Sequence, residues 1–187
     1  MLPLAIVLPW IAFLVYWLVG AFKTNRTSSR ESDASRYSVM ALLLSGYLLL
    51  FRSELGIGPL GRHIAPPTRA LFTAGIALLW LGVSLAIWAR YHLGQYWSSR
   101  VTIKEDHQLI RTGPYARLRH PIYTGLVLMT SGTAVAIDRW RCAAGVALVV
   151  IACSIKAKKE EAMLSQQFGD AFQEHRRHAG FLLPRLW

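Results

Sequence analysis

Five stretches of this chain contain no charged side chain: Leu2–Phe22, Tyr37–Phe51, Ala70–Ala89, Pro121–Ile137 and Cys142–Ile155. They run for 21, 15, 20, 17 and 14 residues, together 87 of 187. Every charged residue falls in the remaining 100. A hydrocarbon core of about 30 Å needs about 20 apolar residues at 1.5 Å each. The pattern therefore predicts an all-α integral membrane protein with five transmembrane helices. The second and fifth stretches are short and reach full span by borrowing flanking residues or by lying against neighbours. The first lacks a basic leader and a small-residue cleavage site, so it reads as a helix and not a signal peptide. An apolar fraction of 53% excludes a disordered or fibrous chain.

The net charge of +11 invites a nucleic-acid reading. Orientation explains it better, and no nucleic-acid partner is expected. Of 21 Lys and Arg, 16 fall in the segments 23–36, 90–120 and 156–187, and 5 in 52–69 and 138–141. The positive-inside rule then places the N-terminus outside and the C-terminus in the cytoplasm. Anionic membrane lipids strengthen that bias. The two cysteines, Cys142 and Cys153, share one helix, about 16 Å apart along its axis. That separation excludes a disulfide between them, and no Cys/His cluster suggests a metal.

The chain divides at residue 67. Residues 1–67 form an N-terminal transmembrane hairpin with a Ser-rich loop (23–36) and a Gly/Pro-rich connection. Residues 68–187 form a core of helices 3–5, the loop 90–120 and a C-terminal helix, within one domain overall. Val101–Ile103 and Gln108–Ile110 flank four polar residues and predict a short hairpin. Pro121 suits the first position of a helix. Leu164, Phe168 and Phe172 recur at helical spacing, so the fifth helix is expected to continue into an amphipathic one. Gly169 weakens it, and Gly180 and Pro184 end it.

Two polar clusters carry the chemistry, both on the expected cytoplasmic side. The first runs from Gly113 to Gly125 and ends at a helix start, whose unpaired N–H groups welcome an anion. Arg119 offers a bidentate partner for a carboxylate. Tyr115 and Tyr123 offer flat faces for a purine or a sulfonium, and Gly125 a close backbone approach. The plain alternative is a basic juxtamembrane loop with an interfacial tyrosine belt. The second cluster, Lys156-Ala157-Lys158-Lys159-Glu160-Glu161, is either a solvated helix face or a pair of acceptors for ribose hydroxyls or an amino group. Adjacent carboxylates point about 100° apart on a helix, so at most one of the two is expected to face a given ligand atom.

Together these residues resemble the isoprenylcysteine carboxyl methyltransferase family and its relatives among phospholipid N-methyltransferases. The resemblance runs through Leu93-Gly94-Gln95-Tyr96-Trp97-Ser98, Gly113-Pro114-Tyr115 and Arg119-His120-Pro121-Ile122-Tyr123-Thr124-Gly125. It continues through Glu160-Glu161-x-x-Leu164-x-x-x-Phe168-Gly169 to Leu183-Pro184-Arg185, covering about residues 80–187. It implies an S-adenosylmethionine-dependent membrane enzyme. The cofactor would lie among Tyr115, Arg119, His120, Pro121, Tyr123, Gly125, Glu160 and Glu161. A lipophilic acceptor would enter from the bilayer, past Trp97, Ser98 and Arg100. Arg185, Arg177 and Glu161 are the candidate catalytic residues, the arginines for an acceptor carboxylate. An amine acceptor would instead need Glu160, Glu161 or His120 as a base. The family usually has an aromatic and a basic residue after Gly-Pro-Tyr and a Tyr-x-x-Tyr-like pattern near the end. Here those positions read Ala116-Arg117 and Phe172-x-x-His175, a departure at the acceptor side. Two other functions compete: an NADPH-dependent membrane reductase, since sterol reductases share a similar Arg-His-Pro-x-Tyr segment, and a non-catalytic membrane anchor.

Overall fold

A computed structural model describes residues 3–21, 27–30, 33–94, 102–104 and 109–185. Among them are six α-helices: α1 (Leu4–Ala21), α2 (Asp33–Phe51), α3 (Arg69–Leu93), α4 (Pro121–Ile137), α5 (Trp140–Phe168) and α6 (Asp170–His178). Strands β1 (Thr27–Arg30) and β2 (Thr102–Lys104) are the other regular elements besides single 3-10 turns. The strands pair antiparallel, Ser29 opposite Ile103 and Arg30 opposite Thr102. The hairpin expected within 101–110 is therefore replaced, at 102–104, by a partner from the first polar loop. That loop supplies extended backbone close by, whereas the sequence offers it no alternating pattern to read.

Helices α3 and α5 are long and apolar enough to cross a membrane, while α1, α2 and α4 hold shorter apolar runs. In α5 residues 142–155 carry no charge, and the helix continues through the charged residues from Lys156 to Glu161 before it ends at Phe168. Pro121 opens α4 at its first position, as its missing N–H allows. Thr68 caps α3 by accepting a hydrogen bond from the Leu71 N–H at 3.2 Å.

The helices meet backbone to backbone. A Cβ on Gly82 of α3 would sit 2.5 Å from the Met129 nitrogen and 2.6 Å from the Gly125 carbonyl of α4. One heptad further along each helix, a Cβ on Gly75 would sit 2.7 Å from the Gly132 carbonyl. Gly46 of α2 and Gly145 of α5 approach in the same way. Where hydrocarbon tails surround helices, association depends on such close van der Waals contact and not on expelling water.

Polar side chains tie the helix ends together. Arg90, 5% exposed, donates to the Gly20 carbonyl at 2.7 Å and the Gly94 carbonyl at 2.6 Å, joining the ends of α1 and α3. Arg141 donates to the Leu49 and Leu50 carbonyls at the end of α2. Trp10 Nε1 of α1 donates to Thr133 Oγ1 of α4 at 3.1 Å. At the α4–α5 turn, Asp138 (φ 52°) accepts from the Ala65 N–H and lies 3.1 Å from His63 Nδ1. The connection 52–68 is thus fastened to that turn.

Candidate cofactor site at the membrane exit of α4 and α5

The single 3-10 turn Gly113–Ala116 buries Pro114 and Tyr115 and delivers the chain to the start of α4. Residues 179–185 return across the same place as a strap. The Arg119 N–H donates to the Gly180 carbonyl at 2.8 Å, and the Gly180 N–H to the Arg117 carbonyl at 2.9 Å. Thr124 Oγ1 donates to the Leu182 carbonyl at 2.8 Å. Gly180 is required there, since a Cβ would meet the Leu183 carbonyl at 1.8 Å.

Beneath the strap, His120 is 5% exposed and lies between two carboxylates. Its Nε2 is 3.1 Å from Glu161 Oε1, and its Nδ1 is 3.5 Å from Glu160 Oε2. The two carboxylates therefore meet different nitrogens of one imidazole. The two nitrogens of an imidazole lie far enough apart to bridge their angular separation. Arg119 Nε donates to Glu161 Oε1 at 2.6 Å, and its Nη1 to the Ala179 carbonyl. Arg176 Nε approaches Glu161 Oε2 at 3.7 Å. The Tyr123 hydroxyl donates to Glu160. Rings close the site: His120 stacks on Tyr123 with centroids 5.7 Å apart and meets the Phe181 edge at 5.3 Å. Phe181 also lies 5.6 Å under the Arg119 guanidinium, and Lys156 Nζ lies 5.8 Å over the Tyr123 ring.

The electrostatics follow from these contacts. Burial alone would lower the His120 pKa, but hydrogen bonds and charge from Glu160 and Glu161 prevail and raise it above its ordinary value. Burial would raise Glu161, yet its bonds to His120 and Arg119 hold it at about 2. Glu160 is likewise lowered against its burial, chiefly by His120. Burial pushes the Tyr115 phenol up, with Glu160 adding to it. The contacts thus favour the ionised forms of Glu160 and Glu161 and the protonated form of His120. His175 of α6 differs: burial, with Arg111, Arg119 and His120 nearby, lowers its pKa and keeps it neutral.

Six of the residues singled out from the sequence thus come together: Tyr115, Arg119, His120, Tyr123, Glu160 and Glu161. Pro121 is buried at the head of α4. Gly125 is spent on the α3 contact, where a Cβ would sit 2.8 Å from the Gly82 carbonyl. Arg177 and Arg185 lie on the exposed rim, Arg185 donating to the Arg177 carbonyl at 2.5 Å. Trp97, Ser98 and Arg100 lie outside the described residues. Two neighbours were missed in the sequence, Phe181 and Arg176, and the buried His175 stands there only as a departure from the family pattern. Arg176 is one of several basic residues in its run, and a lone Phe181 carries no pattern.

The donor set fits S-adenosylmethionine. Two carboxylates suit its ammonium and ribose hydroxyls, and the aromatic ring of Tyr123 suits a purine. Arg119 is less available, because its guanidinium already bonds Glu161 and the strap.

Comparison with known proteins supports the resemblance carried by these motifs. The model of the isoprenylcysteine carboxyl methyltransferase (ICMT) family matches residues 75–166. A protein-S-isoprenylcysteine O-methyltransferase of Schizosaccharomyces pombe is 32% identical over 117 residues, covering 61% of this chain and 50% of that protein. YpbQ of Bacillus subtilis, an uncharacterized protein, is 32% identical over 57 residues, 26% of this chain and 34% of its own. The solved structure of the eukaryotic intramembrane Ras methyltransferase ICMT superposes with a TM-score of 0.61 at 23% identity, over 82% of this chain and 54% of that one. The chain thus spans about half the length of the yeast relative and of the solved structure.

Proposed function

We infer that the chain is a member of the isoprenylcysteine carboxyl methyltransferase family, a membrane methyltransferase that esterifies the carboxylate of a lipophilic, isoprenylcysteine-like acceptor with S-adenosylmethionine. One observation carries this reading: the Arg119–His120–Tyr123 end of α4 converges on Glu160 and Glu161 of α5, inside the segment that the family model matches. When bound, the cofactor supplies a methyl group already activated on sulfonium. The protein's share is then orientation and exclusion of water. Glu160 and Glu161 hold the cofactor's ammonium and ribose, and Tyr115, Tyr123 and His120 wall it. Arg119 positions Glu161 and the strap. Pro121 sets the helix start, and Gly125 lets α3 close behind it. Arg185 and Arg177 at the rim, with Arg100, Trp97 and Ser98, meet the acceptor, whose tail enters between helices from the bilayer.

A carboxylate acceptor arrives ionised at neutral pH and asks for no base. The cluster suits that demand: its contacts favour the protonated form of His120 and the ionised forms of Glu160 and Glu161. A second reading, amine N-methylation of a phospholipid or other amine, has one observation in its favour. His175 is neutral beside the cluster and is the base such an acceptor would use. The pH profile separates them. The expected kcat/KM is flat from about pH 7 to 9, and the transferred methyl is released by mild base. A steep alkaline rise with base-stable product methyl groups would replace the ester by the amine reading.

The chain is further read as five spans, with residues 1–67 as an anchoring hairpin and 68–187 as the catalytic core. The N-terminus is outside, and α6 is an amphipathic helix on the cytoplasmic face. Cys142 and Cys153 are buried, so single cysteines report orientation cleanly. In intact cells Ser53→Cys is expected to react with an impermeant maleimide and Ser29→Cys to resist it. The opposite labelling would invert the topology and put the site on the other face.

A further inference from the structure

Beyond Ile155 the last helix of the bundle runs 13 more residues to Phe168, about 20 Å. Left straight, it would carry everything after it away from the bilayer. Gly169, at φ 48°, breaks it instead, and α6 turns back. Phe172 and His175 bury against the protein. The far end of α6 is pinned at the foot of α4: Arg119 Nη1 donates to the Ala179 carbonyl and approaches that of Arg176 at 3.4 Å, and Gly180 bridges Leu118. Two residues beyond Arg119, the apolar run of α4 begins. The last turn of α6 is therefore held at the depth where α4 enters the membrane.

Four exposed arginines gather at that depth: Arg117, Arg176, Arg177 and Arg185. Arg185 donates to the carbonyl of Arg177, and the Arg117 carbonyl accepts from Gly180. Among the described residues the carboxylates paired with them are Glu161, 3.7 Å from Arg176, and Glu174, 3.5 Å from Arg177. The latter pair is exposed, 78% and 50%, so it is weak and readily exchanged. Beside it an open cleft of about 220 Å³ is lined by Arg111, Ala116, Glu174, His175 and His178.

We propose that this arginine rim, formed by the return of α6 to the foot of α4, docks on the phosphate headgroups of anionic lipids in the protein's own bilayer. The depth of the rim selects a headgroup over a soluble polyanion, and the charge selects an anionic headgroup over a zwitterionic one. Arg176 links the rim to the cluster through Glu161, so lipid on the rim bears directly on the carboxylate that Arg119 and His120 share.

The test places one donor fluorophore at Ala171→Cys, exposed on α6, in the full chain reconstituted into nanodiscs. The native cysteines are buried and stay unlabelled. Energy transfer is compared for headgroup-labelled phosphatidylglycerol and phosphatidylcholine, each at the same low fraction. Phosphatidylglycerol is expected to be enriched about tenfold around α6 at low salt, and the preference is expected to vanish near 1 M salt, where screening extends to about 3 Å. Arg117→Gln and Arg177→Gln are each expected to lower it about threefold, so the double variant shows equal transfer from both lipids. Equal transfer in the unsubstituted rim overturns the proposal without relying on any variant's folding, and so does a preference that the double variant keeps. Both leaflets carry the probe lipid and no turnover is read, so the outcome stands apart from topology and from methyl transfer.

Discussion

Glu161→Ala is expected to weaken S-adenosylmethionine binding about hundredfold and to destabilise the folded protein by about 3 kcal/mol. The side chain is 12% exposed and is the shared acceptor of Arg119 and His120, with Arg176 on its other oxygen. Removing it takes from the Arg119 guanidinium its carboxylate partner and from the buried His120 one of its two. Breaking such a pair costs far more than the intact pair contributes. The same contacts fix the pH dependence. A carboxylate held at about 2 stabilises the fold above its ordinary pKa, and that stability is lost as pH falls toward 2. An imidazole with a raised pKa stabilises the fold below its ordinary value, and that stability is lost as pH climbs through the raised one. The control is Glu174→Ala, whose partners Arg177 and His178 are exposed; it should cost within about 0.5 kcal/mol. Cofactor titration and thermal melting in detergent measure both. Equal losses at the two positions would reduce the cluster to an ordinary charged surface.

Gly82→Leu should prevent α3 and α4 from seating, with a loss of about 3 kcal/mol and little monodisperse protein after solubilisation. The new Cβ would lie within 2.6 Å of two main-chain atoms of α4, and neither is a flexible side chain that can swing aside. Gly58→Ala makes the useful contrast. Nothing lies within 4 Å of that position, so only its φ of 57° resists, at about 1 kcal/mol. Size-exclusion profiles and melting curves of the two variants decide the matter. A well-behaved Gly82→Leu would mean that the helices are held by something other than their backbones.

What the sequence made readable was local. Pro121 at the head of α4 and the break at Gly169 each follow from the backbone chemistry of one residue. The apolar runs announce helices because a chain that goes 14 or more residues without a charge must bury its backbone polar groups, and a helix satisfies them within the run itself. The pairing of Thr27–Arg30 with Thr102–Lys104 was not readable, because a Ser-rich segment has no alternating face and its partner is some 75 positions away. Motif order correctly grouped His120 with Glu160 and Glu161, but local periodicity argued that two adjacent carboxylates diverge. Only the reach of an imidazole reconciles the two. Arg119 shows the opposite failure. Its chemistry suits a ligand carboxylate, yet the fold spends it on Glu161 and on the strap, a demand that arises from residues about 40 and 60 positions later.

That strap also sets a clock. Translation proceeds from the N-terminus, so the five apolar helices emerge from the ribosome before residues 179–185 do. Until those residues arrive, Arg119 lacks the Ala179 carbonyl, Thr124 lacks that of Leu182, and His120 lacks the edge of Phe181. Emergence of the helices therefore precedes completion of the cluster. A nascent chain that lacks the strap carries the carboxylates and the imidazole without the backbone that closes over them. The cluster is closed by the last segment of the fold to arrive.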